Sequence, residues 1–173
     1  MKKNLVLTGM MGVGKSTLGK ILSERLNLKF IDVDRDIEKR ENMSIREIFE
    51  KKSEEYFRKT EKRESLKSLM KENSIIALGG GAFVNKEIRN LVKKNSISFW
   101  LSLSVELLAK RLSGSKKRPL LDLNNLDKSL RNILRERKEI YKFANFKIDC
   151  NYISKAVLAN KIIKLYESEQ NKS

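Results

Sequence analysis

The chain has no histidine and a single cysteine, Cys150. Without imidazole, proton transfer near neutral pH falls to carboxylates or lysine. A lone cysteine makes no internal disulfide. With an N-terminus that carries no signal-like pattern, it leads to the expectation of a reducing, cytoplasmic setting. One proline in 173 residues leaves no room for a Pro-rich linker. Long hydrophobic runs are missing too. The longest, Ile75 to Val84, contains three glycines and is far short of a membrane span. The length suits one compact domain, so residues 1–173 read as a single unit without internal repeats.

Positive charge is abundant. Lys and Arg number 38 against 22 Asp and Glu, a formal charge of +16. The lysines are scattered, with pairs beginning at Lys2, Lys51, Lys93 and Lys116 rather than one block. That pattern fits a lysine-rich composition and the steering of an anionic substrate. No segment interleaves aromatics with basic residues, so neither nucleic acid nor membrane is expected as a partner.

Elements follow from periodicity and punctuation. Short apolar stretches at Asn4–Thr8, Lys29–Ile31, Ser74–Leu78, Ser96–Leu101 and Phe146–Asp149 read as strands. Helical spacing marks Lys15–Leu26, Val84–Lys94, Val105–Leu112, Leu126–Phe143 and Lys155–Tyr166. Ser44 with Glu47 forms a capping-box pattern, and Ser53 can cap a helix running to about Met70. Ser113–Leu123 is a polar loop marked by glycine and proline. Strands alternating with helices imply an α/β fold with a five-stranded parallel sheet.

Gly9-Met10-Met11-Gly12-Val13-Gly14-Lys15-Ser16 fits G-x-x-x-x-G-K-[ST]. Its glycines let successive N–H groups turn toward one anion, and the helix behind adds its positive end. Lys15 is placed to bridge terminal phosphates, and the Ser16 hydroxyl to hold Mg²⁺. A tight strand-to-helix turn alone would not require the Lys-Ser pair.

Such a loop does not choose the phosphoryl acceptor. Asp32-Val33-Asp34 follows the second strand. In an extended segment both carboxylates share a face and can enter one cleft, though an Asp capping the helix "RDIEKR" is equally ordinary chemistry. Arg58 and Glu61 lie three apart on one helix. Taken alone they read as a surface ion pair, yet an Arg held by an acid beside Phe57 is also a fork for a carboxylate. Gly79-Gly80-Gly81 is either a turn or a place of close approach. Lys116, Lys117 and Arg118 can close over a triphosphate or simply face solvent. Singly, Arg137 and Tyr141 read as surface and packing residues.

Together these motifs resemble the shikimate kinase family, over Gly9 to Asp149. The resemblance rests on the phosphate loop, the Asp32/Asp34 pair and E-x-x-F-R-x-x-E at Glu54, Phe57, Arg58 and Glu61. It continues through Gly79–Gly81, R-P-L-L at Arg118–Leu121, and Arg137 with Tyr141. It implies a three-layer P-loop kinase fold, with a mobile lid at about 113–123, and ATP-dependent phosphorylation of the shikimate 3-hydroxyl by a monomer. It assigns ATP to Gly12, Val13, Gly14, Lys15, Ser16 and Thr17, with Arg111 stacking on adenine and Arg118 reaching the transferring phosphate. Mg²⁺ goes to Ser16 and, through water, Asp32. Asp34 becomes the base. Arg58 and Arg137 clamp the carboxylate, Gly80 and Gly81 face the ring, and Phe49 and Phe57 wall the pocket. Ser53 departs from the family pattern, which commonly has Gly there, and Asn145 stands where Asp is frequent. Small kinases for gluconate or a nucleotide, and a nucleic-acid-binding NTPase, are the competing readings.

Overall fold

A computed structural model describes residues 3–114 and 119–172, with Leu123 described in its backbone only. Five parallel strands form the sheet: β1 (Asn4–Thr8), β2 (Lys29–Asp32), β3 (Ser74–Ala77), β4 (Ser96–Ser102) and β5 (Phe146–Asp149), in the order β2-β3-β1-β4-β5. Parallel strands need crossovers, and the helices supply them: α1 (Lys15–Leu26), α2 (Val33–Glu41), α3 (Ile45–Lys51), α4 (Glu54–Leu69), α5 (Lys86–Asn95), α6 (Val105–Leu112), α7 (Leu126–Tyr141) and α8 (Lys155–Gln170). α1 packs on α8 and β3, while α4 packs on α5, α2 and α3, giving three layers.

β1 is buried along its whole length, and β4 along all but its last residue, because both lie inside the sheet and are covered by helices. Leu5 pairs with Ile75 on one side and Ile97 on the other, which fixes the register of the centre. The sequence moves one way from β1 to β2, and later crosses β1 to build β4 and β5. The carboxyl ends of β1, β2 and β3 therefore gather at one edge, beside the switch in strand order, where open α/β sheets bind ligands. No helix among the described residues is long and apolar enough to cross a membrane.

The expected strands all form. Two helical expectations shift. Val84 belongs to a short 3-10 turn, Ala82–Val84, and α5 starts at Lys86 because Asn85 accepts from the N–H groups of Glu87 and Ile88. α2 takes the second of the two readings of this stretch, a helix over "RDIEKR" capped by an Asp, and springs directly from the end of β2.

Candidate active site

The loop after β1 is folded tightly. Gly9 has φ 135°, and a Cβ there would sit 2.5 Å from the Leu101 carbonyl oxygen, so the loop presses on the end of β4. Gly12 and Gly14 also adopt positive φ. α1 begins at Lys15 with no side-chain cap and no acid in its first turn. Its first N–H groups are thus left for an anion. Lys15 Nζ donates to the carbonyls of Gly9 (2.8 Å) and Met10 (3.1 Å), so its charge lies within the loop. From α6, Arg111 Nη1 donates to Val13 O (3.0 Å) and Gly12 O (3.3 Å). A cleft of about 160 Å³ runs between this loop and the end of β2, lined by Gly12, Gly14, Lys15, Ser16, Thr17, Asp32 and Asp34 among others.

Asp32 and Asp34 do enter one cleft, but not as an extended pair. Asp32 is the N-cap of α2, its Oδ1 accepting from Arg35 N at 3.4 Å, and Asp34 lies in the first helical turn. The extended reading is therefore corrected: the turn of the helix, not the alternation of a strand, aims both acids at the loop. Asp32 Oδ2 is buried and has no hydrogen-bond donor, with Arg35 Nε 3.8 Å away. A buried carboxylate oxygen without a donor, in a cleft that Ser16 also lines, suits a hard cation. No group of three or more acid, Cys or His side chains is poised to hold a metal among the described residues.

Across Asp34 lies a second pocket. α3 contributes Ile45 and Phe49; α4 contributes Phe57, Arg58 and Glu61; the turn after β3 contributes Gly80 and Gly81; α7 contributes Arg137. Phe49 and Phe57 meet at 5.0 Å between ring centroids and form an apolar wall. Arg58 lies over the Phe57 ring and donates Nη1 to Glu61 Oε2 at 2.7 Å. The surface-pair expectation is corrected here, because the Glu61 side chain is only 4% exposed. Burial pushes the Glu61 carboxyl up, with Asp34 adding to the rise and Arg58 and Arg137 opposing it. A Cβ on Gly79 would strike Glu61 Oε1 and come within 2.7 Å of Asp34 Oδ1. Glycine at 79 is what lets these two acids converge.

Arg137 and Tyr141 are likewise buried, not surface residues. The Tyr141 hydroxyl donates to Gly80 O at 2.5 Å, and Tyr141 stacks at a tilt on Trp100. Burial raises the Tyr141 hydroxyl's pKa, against the lowering effect of the neighbouring Arg137 charge. Arg137 Nη1 is buried without a hydrogen-bond acceptor. A buried guanidinium nitrogen lacking an acceptor is costly unless an anion completes it.

The comparisons with known proteins agree with this geometry. A family model described as "Shikimate kinase" matches residues 11–167. A shikimate kinase of Caldanaerobacter subterraneus subsp. tengcongensis is 40% identical over 164 residues, 95% of this chain and 96% of that protein. The chain belongs to the shikimate kinase family. A solved shikimate kinase from Acinetobacter baumannii, in complex with shikimate, superposes with a TM-score of 0.92 at 35% identity, covering 96% of this chain and 94% of that one. The enzyme from Aquifex aeolicus gives 0.83 at 37% identity, over 96% and 97%.

For this shikimate kinase family member, the residues singled out in the sequence fall into two adjoining groups. Gly12, Gly14, Lys15, Ser16, Thr17, Asp32 and Asp34 line the cleft, with Arg111 bonded to the carbonyls of Gly12 and Val13; Asp34, Phe49, Phe57, Arg58, Gly80, Gly81 and Arg137 line the pocket. Arg118 lies outside the described residues, as do Lys116 and Lys117. Met11, Ile45, Pro119 and Leu120 also line the pocket. Ile45 carried no signal, being an ordinary apolar residue, whereas Met11 lies within the phosphate-loop motif and Pro119 and Leu120 within the R-P-L-L segment.

Proposed function

We propose that the protein transfers the terminal phosphoryl group of ATP to the 3-hydroxyl of shikimate, giving shikimate 3-phosphate and ADP. The observation that carries this reading is a shared wall: the phosphate cleft and the acceptor pocket both border Met11, Asp34 and Gly80. A hydroxyl held in the pocket faces a phosphoryl held in the cleft, with Asp34 beside both.

In the proposed reaction the acceptor oxygen bonds to phosphorus as its proton passes to Asp34. The bond from phosphorus to the bridging oxygen breaks, and ADP leaves with that electron pair. Lys15 exchanges its carbonyl partners for phosphate oxygens, and the first N–H groups of α1 hold the phosphates in line. Arg118, by family resemblance, reaches the moving group, and Arg111 packs on the adenine. When bound, Mg²⁺ offsets phosphate charge; Ser16 and, through water, Asp32 would hold it.

Shikimate as acceptor is supported by the two arginines. The uncompleted Arg137 Nη1 calls for an anion in the pocket that Arg58 also lines, and a ring carboxylate supplies it with planar geometry. Phe49 and Phe57 cover the apolar side of such a ring. All these groups come from one chain, so a monomer suffices. The test is ADP release measured with shikimate, shikimate methyl ester, gluconate and AMP. Rapid turnover is expected with shikimate alone. Equal use of acid and ester, or preference for gluconate or AMP, would overturn the assignment.

A further inference from the structure

Outside the acceptor pocket lies a larger cavity of about 470 Å³, which shares Arg58, Glu61, Gly81 and Arg137 with it. The two cavities flank the arginine pair. The inner void is only about 50 Å³, against about 300–1,000 Å³ for a small-ligand pocket. The outer chamber adds Glu54, at the first position of α4.

Glu54 and Glu61 hold Arg58 from different sides and in different ways. Glu61 accepts from Nη1 at 2.7 Å and is almost fully buried. Glu54 accepts from both Nε (3.3 Å) and Nη2 (3.1 Å) through a single oxygen, Oε1, and its side chain is 54% exposed. The Nε–Nη2 edge is one that a planar carboxylate can take with both oxygens. Glu54 covers it with one oxygen, at long distance, in contact with water. The Glu61 contact is costly to break, because it would leave a buried acid unpaired. The Glu54 contact is of the exposed kind that exchanges readily. Two carboxylates on one guanidinium also make the site less welcoming to a third.

We propose that Glu54 is an affinity-tuning residue: a tethered carboxylate that occupies the outer edge of Arg58 while the acceptor pocket is empty and yields to the acceptor's own carboxylate. Glu54 therefore lowers the affinity for a carboxylate acceptor, which must displace it, and leaves unchanged an acceptor that makes no demand on that edge. This inference rests on the reading that Arg58 receives the acceptor's carboxylate.

The test is equilibrium binding of shikimate to the full chain and to Glu54→Gln, Glu55→Gln and Arg58→Lys. Glu55 is the neighbouring acid of the same helical turn and pairs with Lys59 in solvent. Glu54→Gln is expected to tighten shikimate by about two- to fivefold, the size of an exposed ion pair, and Glu55→Gln to leave it unchanged. A structural role for Glu54 would give weaker binding, the opposite sign. Unchanged or weakened binding in Glu54→Gln overturns the proposal, and so does equal tightening in both glutamine variants, which would mean a general charge effect. Arg58→Lys separates the two levels. If it leaves shikimate affinity intact, the carboxylate clamp itself fails. If it weakens binding while Glu54→Gln does not tighten it, only the role of Glu54 fails.

Discussion

Ser53 sits at φ 131° and ψ 165°, a backbone region that glycine enters freely and other residues avoid. Its hydroxyl accepts from Tyr56 N at 3.2 Å and so starts α4. Strain of this kind costs about 1–3 kcal/mol, whereas exchanging a serine cap for glycine costs a few tenths. Glycine's extra freedom in the unfolded chain costs about 0.5–1 kcal/mol. Ser53→Gly is therefore expected to stabilise the protein by about 0.5–1 kcal/mol on balance; a lower thermal midpoint would show that the cap outweighs the strain. At the reacting centre, Lys15→Ala should reduce turnover by about 10²–10³-fold, as losing a preorganised donor does. Asp34→Asn should keep nucleotide binding and lose about 10²–10⁴-fold in turnover. Single-turnover measurements with saturating ATP check both. A parental rate in Asp34→Asn would return that residue to its place in the first turn of α2 and nothing more.

At the scale of elements, the phosphate loop and the strands were legible because their signals are local. α2 was legible only as one of two readings, since Val33–Glu41 buries only Val33 and Ile37, too few positions to show a period, and Asp32 serves at once as strand end and helix cap. α4 misleads in another way. Its buried face includes Thr60, Glu61, Glu64, Ser65 and Ser68, so a search for apolar spacing turns Glu61 outward. The convergence of Arg58 with Arg137 depends on α4 and α7 meeting at the turn after β3, which no local pattern encodes. The capping box of α3 was readable in full: Ser44 and Glu47 bond reciprocally. The Ser44 N–H, then its hydroxyl, then Lys51 bring the Glu47 carboxyl from 4.5 to about 2. A depressed acid contributes stability above its unfolded pKa and loses it as pH falls through the folded value. Glu47→Gln should therefore be less stable than the parent above 4.5, with the gap closing as pH falls to about 2. Denaturant midpoints across that window decide it; a gap that persists to the acid end would mean the carboxylate is not its source.

For the whole molecule, the decisive fact is that the acceptor pocket is narrow. Its void of about 50 Å³ is bordered by parts from seven places in the fold: the phosphate loop, α2, α3, α4, the turn after β3, residues 119 and 120, and α7. The turn after β3 is held from behind by Tyr141 and pressed toward the phosphate loop, with Gly80 as the common border. α4 and α7 carry the buried Arg58–Glu61 and Arg137 groups, whose displacement would strand charge. With the phosphate loop and α2 tied to the ends of β1 and β2, that leaves α3 and the segment from 119 onward as the walls able to yield. α3 is a seven-residue helix whose buried anchors are Ile45 and Ile48, and from the other wall Pro119, Asp122, Asn124 and Asn125 are exposed while Leu121 is buried. Elements with few buried contacts open at low free energy. Admission of a ring acid should therefore involve these two walls, and closure over it should bring residues 113–123 down as the lid that excludes water. Hydrogen exchange on the full chain checks this. With an ATP analogue and shikimate together, amides of α3 and of residues 113–125 should slow markedly, while those of β1, β3 and β4 should not change. If shikimate binds and both walls exchange as fast as before, the pocket fills without them, and entry must instead proceed past Arg58 by movement of α4.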